Sequence, residues 1–288
     1  MDKPFKDTLK EKLAPRLPKE ELDALPSGYQ RVGDILILSL QSEAEHHRLL
    51  IGEATLEVVP NVRTVCHKIG GISGAMRLPK IEVIAGEPST ITVHKENGCL
   101  FRLDISEVMF AKGNVTERAR IAKRVGESET VVDMFAGIGY FSIPIAVLGK
   151  PAQVYAVEIN PVSFDFLKEN IELNNVQDIV TPLFGDCRDY ATQLNGSADR
   201  IVMGYLPDTY EFLPAAFHIL KKHGGIIHYH DVFYESELFE APIGLLKEYS
   251  EGAGYHIERI LSKREVKSYA PRQLHVVLDV EFGRGNSR

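Results

Sequence analysis

Apolar and polar positions follow two different rhythms along this chain. Val32-Gly-Asp-Ile-Leu-Ile-Leu-Ser-Leu40 is a nearly continuous apolar run and predicts a buried strand, with a helix following over 42–58. Residues 1–25 predict a charged helical segment interrupted by Pro15 and Pro18. Ile91 and Val93 alternate with Thr92 and His94, then come Asn97-Gly98, then Leu100, Arg102 and Asp104. Asn-Gly between alternating runs predicts a hairpin with a type I′ turn, because both turn positions need positive φ. Residues 1–110 therefore predict a small α+β domain.

After Phe110 the rhythm changes. Asn114 and Glu117 have the spacing of a capping box for a helix running to about Gly126. Strand-like and helix-like segments then alternate. Strands are predicted over 130–135, 153–158, 179–184, 198–203 and 225–230. A helix is expected over 139–148, and another opens with Asn160 as cap and Pro161 at its first position. Two late strands, 255–261 and 274–282, predict a closing antiparallel hairpin. This alternation implies a doubly wound, mostly parallel Rossmann-like α/β sheet over 111–288, with the ligand outside the carboxyl ends of its strands.

Composition narrows the class without naming a partner. With 44% hydrophobic and 25% charged residues over 288 positions, the chain reads as globular, not as a disordered or fibrous one. No apolar run approaches the ~20 residues of a membrane span, and the charged N-terminus lacks the core of a secretory signal. Cys66, Cys99 and Cys187 show no CxxC or Cys/His spacing. That pattern argues against zinc and disulfides and for a reducing cytoplasm. The net charge of −7 hides local basic clusters. Residues 61–80 carry Arg63, Lys68, Arg77 and Lys80 and no acid. Residues 111–124 set Lys112, Arg118, Arg120, Lys123 and Arg124 against Glu117, and 262–272 set Lys263, Arg264, Lys267 and Arg272 against Glu265. Three such clusters in an acidic protein point to a polyanion partner, with solvated faces as the plainer reading of each.

The sharpest chemistry lies in Val131-Val-Asp-Met-Phe-Ala-Gly-Ile-Gly-Tyr-Phe-Ser142, a strand, a glycine turn and a helix start. Gly137 and Gly139 let the backbone approach a ligand. Glu158, nineteen residues beyond Gly139, ends the next strand, where a carboxylate can accept both hydroxyls of a ribose. Phe184-Gly-Asp-Cys187 ends the third strand, placing Asp186 to accept an adenine amine and the Cys187 N–H to donate to the ring. As a dinucleotide fingerprint the turn is incomplete, because Ser142 takes the third glycine position. Asp133 puts a carboxylate where a cationic ligand would be favoured. The set Asp133, Gly137, Gly139, Glu158 and Asp186 looks like a class I S-adenosylmethionine-dependent transferase. Phe135, Ile159 and Pro207 are assigned to the same cofactor cleft.

Four blocks carry a closer resemblance: Ile69-Gly-Gly-Ile-Ser-Gly-Ala-Met-Arg77, Glu96-Asn-Gly-Cys99, Phe110-Ala-Lys-Gly-Asn-Val-Thr-Glu-Arg118 and Val132-Asp-Met-Phe-Ala-Gly-Ile-Gly-Tyr-Phe141. With Glu158-Ile-Asn-Pro161 they resemble the archaeal and eukaryotic tRNA enzymes that act at position 37, beside the anticodon. Two sister activities share that scaffold: N1-methylation of guanine 37, and transfer of the 3-amino-3-carboxypropyl group to the tricyclic base 4-demethylwyosine in wybutosine biosynthesis. The methyltransferase pattern has Ser-Pro-Arg after the Phe, and Asn-Leu-Pro or Asn-Pro-Pro at the fourth strand. Here those places hold Ala111-Lys112-Gly113 and Tyr205-Leu206-Pro207. The chain is also short for the extra N-terminal domain many such methyltransferases carry. The resemblance therefore implies aminocarboxypropyl transfer, with guanine-37 methyl transfer as the alternative.

That activity implies further roles. Tyr205 is expected to act at the reacting base by stacking or through its hydroxyl, with a buried core tyrosine as the competing reading. Asp231, after His228-Tyr-His230, is expected to accept a proton or orient the base, or else to cap a helix. Lys112, Arg118 and Arg120 are candidates to clamp the methionine carboxylate. Arg77, Arg120 and Lys267 are expected to meet the tRNA. His228 and His230 are read as non-metal. A nicotinamide-dependent dehydrogenase and a non-catalytic RNA-binding module remain the other readings.

Overall fold

The computed structural model describes residues 3–70, 80–110 and 112–284, with the side chain of Lys112 outside that description. The described chain divides into two compact units: residues to Glu96 with Leu100–Phe110, and Asn97–Cys99 with the chain after Phe110.

In the first unit, Pro15 and Pro18 separate two helices, Phe5–Leu13 and Lys19–Asp23. The expected single strand over 32–40 is instead two antiparallel strands, β1 (Gln30–Val32) and β2 (Ile35–Leu38). Gly33 at φ 57° makes the turn between them. Only Val32 of β1 belongs to the apolar run, and the two-residue turn joins it to β2 so closely that periodicity alone did not reveal the reversal. The expected helix over 42–58 is likewise two, Ser42–Glu45 and Arg48–Val58, broken at His46 and His47. Strands β3 (Thr64–Lys68) and β4 (Ile81–Gly86) complete a four-stranded sheet in the order β1-β2-β3-β4. Leu9, Leu13, Leu36, Leu38 and Ile51 pack beneath it as the core. Strands β5 (Ile91–Glu96) and β6 (Cys99–Asp104) form the anticipated hairpin, with Asn97 at φ 51° and Gly98 at φ 81°.

In the second unit, strands β7 (Thr130–Asp133), β8 (Gln153–Glu158), β9 (Val180–Phe184), β10 (Arg200–Met203), β11 (Gly224–Tyr234), β12 (Tyr255–Ala270) and β13 (Gln273–Arg284) build one sheet. Its order is β12-β13-β11-β10-β7-β8-β9. The pairs among β11, β10, β7, β8 and β9 are parallel, and the β12–β13 hairpin closes the sheet antiparallel against β11. Strand order reverses beside β7, so the crevice at its carboxyl end is the topological switch point where such sheets bind ligands. β12 runs to Ala270, well past the expected 261, because polar residues continue its ladder with β13.

Two helix expectations fail locally. Asn114 makes no side-chain cap for the helix Val115–Ala122; the Glu117 carboxylate turns to Arg120 and Arg264 instead. The helix expected over 139–148 is one turn at Ser142–Pro144 followed by a π-helical turn over Ile145–Gly149. Asn160 does cap Pro161–Leu173, its side chain accepting from the Val162 and Ser163 amides. Among the described residues, no helix is long and apolar enough to cross a membrane.

Candidate active site

Because β7, β8, β9 and β10 are parallel, their carboxyl ends open on one side of the sheet. Asp133 closes β7 and is fully buried. The Ser142 hydroxyl donates to its Oδ2 at 2.7 Å and the Phe135 amide to its Oδ1 at 3.3 Å. Ser142 thus uses the place of the missing third glycine to hold the carboxylate beneath the turn. Gly137 has φ 57°, and a Cβ there would lie 2.6 Å from the Tyr140 ring; at Gly139, φ is 98°. No side chain larger than hydrogen suits either position.

Glu158 closes β8. Its Oε2 accepts from the Gly137 amide at 2.6 Å and its Oε1 from the Asn160 amide at 2.7 Å. Two backbone donors orient the carboxylate while lone pairs on both oxygens stay available to a diol. Burial pushes Glu158 up, and burial together with the nearby Glu158 charge pushes Asp133 up to about 6. Two carboxylates flanking one glycine turn repel each other until a cation joins them. Ile159, the next residue, is 60% exposed, an apolar face beside a polar anchor that suits a flat heterocycle.

Asp186 follows β9, and the Arg188 guanidinium meets it at 2.9 and 2.5 Å, holding it below the usual carboxylate range. An adenine amine must therefore share Asp186 with Arg188. Cys187 is buried and its thiol is pushed up to about 12 by burial, so its backbone amide, not its sulfur, is the useful group.

Past β10, Tyr205 is 38% exposed, which rules out the buried-core reading. Its ring stacks on Phe135 at 5.1 Å between centroids, and Phe212 stands edge-on to both, at 4.8 Å from Phe135 and 5.6 Å from Tyr205. Arg188 covers the Phe212 ring at 4.9 Å. Pro207, two residues past Tyr205, is exposed. Asp231 is buried below this loop: its Oδ1 accepts from the Asp208 amide at 3.0 Å and the Val232 amide at 2.8 Å, and Tyr229 donates to Oδ2 at 2.5 Å. Asp231, expected at the reacting base, thus accepts two bonds from its own strand β11 and one from Asp208 on the loop that carries Tyr205.

The cationic candidates separate. Arg118 is 2% exposed and lies 5.1 Å from the Tyr140 centroid, a buried cation next to the glycine turn. Arg120 is committed inward, contrary to the expectation of carboxylate or RNA contact. Its guanidinium engages both Glu117 and buried Asp279. Lys112 opens a short turn, Lys112–Asn114, and exposed Lys267 lies over Gly113. Arg77 lies outside the described residues. Sequence reasoning missed Tyr140, Arg188 and Phe212. Arg188 is two residues past Asp186, a usable signal, but the other two are brought in by turns that no periodicity marks.

His228 is not a ligand either. Arg200, which can only donate, gives a 2.8 Å bond to Nε2, so Nδ1 carries the proton donated to Asp279 at 2.6 Å. Burial keeps this histidine neutral.

Residues 92–258 match the family described as the TRM5/TYW2 methyltransferase domain, and residues 9–90 match the TYW2 N-terminal domain. The chain is 44% identical over 276 residues to the tRNA(Phe) (4-demethylwyosine(37)-C(7)) aminocarboxypropyltransferase of Pyrococcus horikoshii, covering 96% of each chain. It is 37% identical over 264 residues to the tRNA (guanine(37)-N(1))-methyltransferase Trm5b of Pyrococcus abyssi, covering 91% of this chain and 77% of that one. The solved structure of P. horikoshii TYW2 in complex with MeSAdo has a TM-score of 0.87 at 40% identity, covering 98% of this chain and all of the other.

Proposed function

The chain belongs to the TRM5/TYW2 family, and from that premise we propose that it transfers the 3-amino-3-carboxypropyl group of S-adenosylmethionine to C7 of 4-demethylwyosine at position 37 of tRNA(Phe). The observation that carries this reading is Tyr205. The loop after β10, where the methyltransferase pattern places a carboxamide, carries an aromatic ring stacked against Phe135, and the P. horikoshii relative with 44% identity bears the aminocarboxypropyltransferase name.

The residues suit the cofactor. Glu158 is preset for the ribose diol, Ile159 and Asp186 for the adenine, and the Cys187 amide for its ring. Gly137 and Gly139 clear room for the chain between, and Asp133 supplies negative charge for the cationic end. Arg118 is the methionine-carboxylate clamp in this reading, with Lys112, on the turn before its helix, as the second candidate. When bound, S-adenosylmethionine would supply an electrophilic Cγ to C7, with the Cγ–S electron pair leaving on sulfur as 5′-methylthioadenosine and the C7 proton passing to water. Tyr205, Phe135 and Phe212 present a platform for the flat tricyclic base, and Asp231 holds the loop beneath Tyr205. The protein's contribution is then positioning, for which effective molarities of about 10⁵–10⁸ M are the upper range.

We assign tRNA contact at the anticodon loop to Lys267 and its basic neighbours on β12, and to Arg77. Three free cysteines are consistent with placement in a reducing cytoplasm.

The deciding experiment uses S-adenosylmethionine labelled separately in the methyl group and the carboxylate, with tRNA carrying 4-demethylwyosine. The carboxylate label should enter the RNA and the methyl label should leave as methylthioadenosine. Methyl label in the RNA would overturn the proposal in favour of methyl transfer.

A further inference from the structure

The first unit holds a group of side chains that the cofactor cleft does not use. Glu21 lies on the short helix Lys19–Asp23, and His46 and His47 are the two residues at which the chain breaks between Ser42–Glu45 and Arg48–Val58. Consecutive residues on a regular helix project about 100° apart, so two neighbouring imidazoles seldom converge on one point. Here the helix break brings them together: the rings are 4.0 Å apart, the His47 Nε2 is 2.8 Å from Glu21 Oε2, and the His46 Nε2 is 3.4 Å from Glu21 Oε1. One atom from each side chain lies within 4.8 Å of the other two. Among the described residues this is the one such group of three.

We propose that Glu21, His46 and His47 form a binding site for a divalent transition metal, with Zn²⁺ the ion best matched. Ligand chemistry selects the class, since two imidazoles with one carboxylate suit zinc and its neighbours, whereas calcium and magnesium take oxygen ligands. Geometry is compatible with zinc: bonds of about 2.0–2.1 Å in a tetrahedron set ligand atoms about 3.3 Å apart, against 3.4 Å from His46 Nε2 to Glu21 Oε1 and 2.8 Å from His47 Nε2 to Oε2. His46 is 59% exposed in its side chain, leaving the fourth position open to water. A hydrogen bond to Glu21 accounts for His47 alone; it gives no reason for His46 to bring its Nε2 to the same carboxylate. The metal would tie the helix Lys19–Asp23 to the break at residues 46–47, a link within the first unit. No Cys/His spacing announces it, because the third ligand comes from a helix 25 positions earlier.

The test uses the full chain without an affinity tag, freed of metal by a chelator. Titration with Co²⁺ should give one equivalent with the visible absorption of a four-coordinate nitrogen and oxygen site, displaced by Zn²⁺. Zn²⁺ should also raise the thermal midpoint. His46→Ala, His47→Ala and Glu21→Gln should each weaken Zn²⁺ binding by at least about tenfold. Glu21→Gln keeps an acceptor for His47, and His46 is exposed, so these variants should melt like the wild type when metal-free. Absence of Co²⁺ absorption and of Zn²⁺ binding, or binding that survives all three substitutions, would overturn the site.

Discussion

The carboxylate of Glu158 accepts a 2.6 Å hydrogen bond from the Gly137 amide, tying the end of β8 to the glycine turn that follows β7. The residue assigned to the cofactor's sugar thus also sets the shape of the turn. Both carboxylate oxygens accept from backbone N–H groups, so an amide in this place would point its NH₂ at a donor. Glu158→Ala should weaken S-adenosylmethionine binding by about 1–3 kcal/mol, and Glu158→Gln should not rescue it. Calorimetry showing wild-type affinity in either variant would contradict the ribose assignment.

Tyr205 offers a contrast between ring and hydroxyl. Tyr205→Phe keeps the stack on Phe135 and should retain most activity. Tyr205→Ala removes the outermost ring of the platform and should cost about 1–3 kcal/mol in kcat/KM for the modified tRNA. Because the side chain is partly exposed, melting temperatures should stay close to wild type. A Phe variant as impaired as Ala would shift the role to the hydroxyl.

Asp231 tests positioning against proton transfer. Removing it in Asp231→Ala strands the Tyr229 hydroxyl and the Asp208 amide, so stability should fall by about 1–3 kcal/mol in chemical denaturation. Asp231→Asn keeps one acceptor for the backbone amides and offers an NH₂ to the Tyr229 oxygen, so turnover should persist with an unchanged pH profile. Loss of turnover in a fully stable Asn variant would restore the catalytic reading.

How much of this was legible follows from how local each signal is. The Asn97-Gly98 turn, the Asn160-Pro161 helix start and the carboxylates ending β7 and β8 are short-range patterns with a backbone reason, and they stand in the structure as expected. Arg120 illustrates what is not local. Its partner Asp279 is 159 residues away, and in sequence the arginine belongs to a basic cluster that suggested RNA. Burial decided between those readings, and burial is a property of the sheet. Tyr140 and Phe212 were missed for the same reason, since a turn between strands gives no periodicity to read. The reversal at Gly33 was hidden differently: Val32 of β1 and the apolar β2 flank a turn of only two residues, so the sequence reads as one run.

Asp279 carries a prediction of its own. The carboxylate is buried and receives bonds from His228, Arg120 and Arg124. Burial alone would raise it, but the histidine and arginine partners outweigh that and hold it well below the usual carboxylate range. A depressed folded pKa stabilises above the unfolded value and is lost as pH falls through the folded one, so this cluster contributes fully at neutral pH. Asp279→Asn should destabilise the fold by about 3–5 kcal/mol, because it leaves the cations without their counter-charge. A denaturation midpoint near wild type would mean that water replaces the carboxylate.

Asp133 behaves in the opposite sense, and its titration links pH to cofactor binding. Its folded pKa is raised to about 6 from an ordinary 3.8, by burial first and the Glu158 charge after. Below pH 6 the free protein therefore holds a proton there that the unfolded chain releases near pH 4, so this carboxyl's contribution to stability declines as pH rises between those values. A cationic ligand favours the ionised form, lowering the pKa and expelling the proton. S-adenosylmethionine affinity should accordingly increase with pH up to about 6 and level off above it, with up to one proton released per ligand below that point. Calorimetry at pH 5.5 in buffers of different ionisation enthalpy measures the release directly. Asp133→Asn should abolish the release and flatten the affinity profile. If the variant still gives up the proton, the titrating group is Glu158, which sits on the same turn and is also raised by burial.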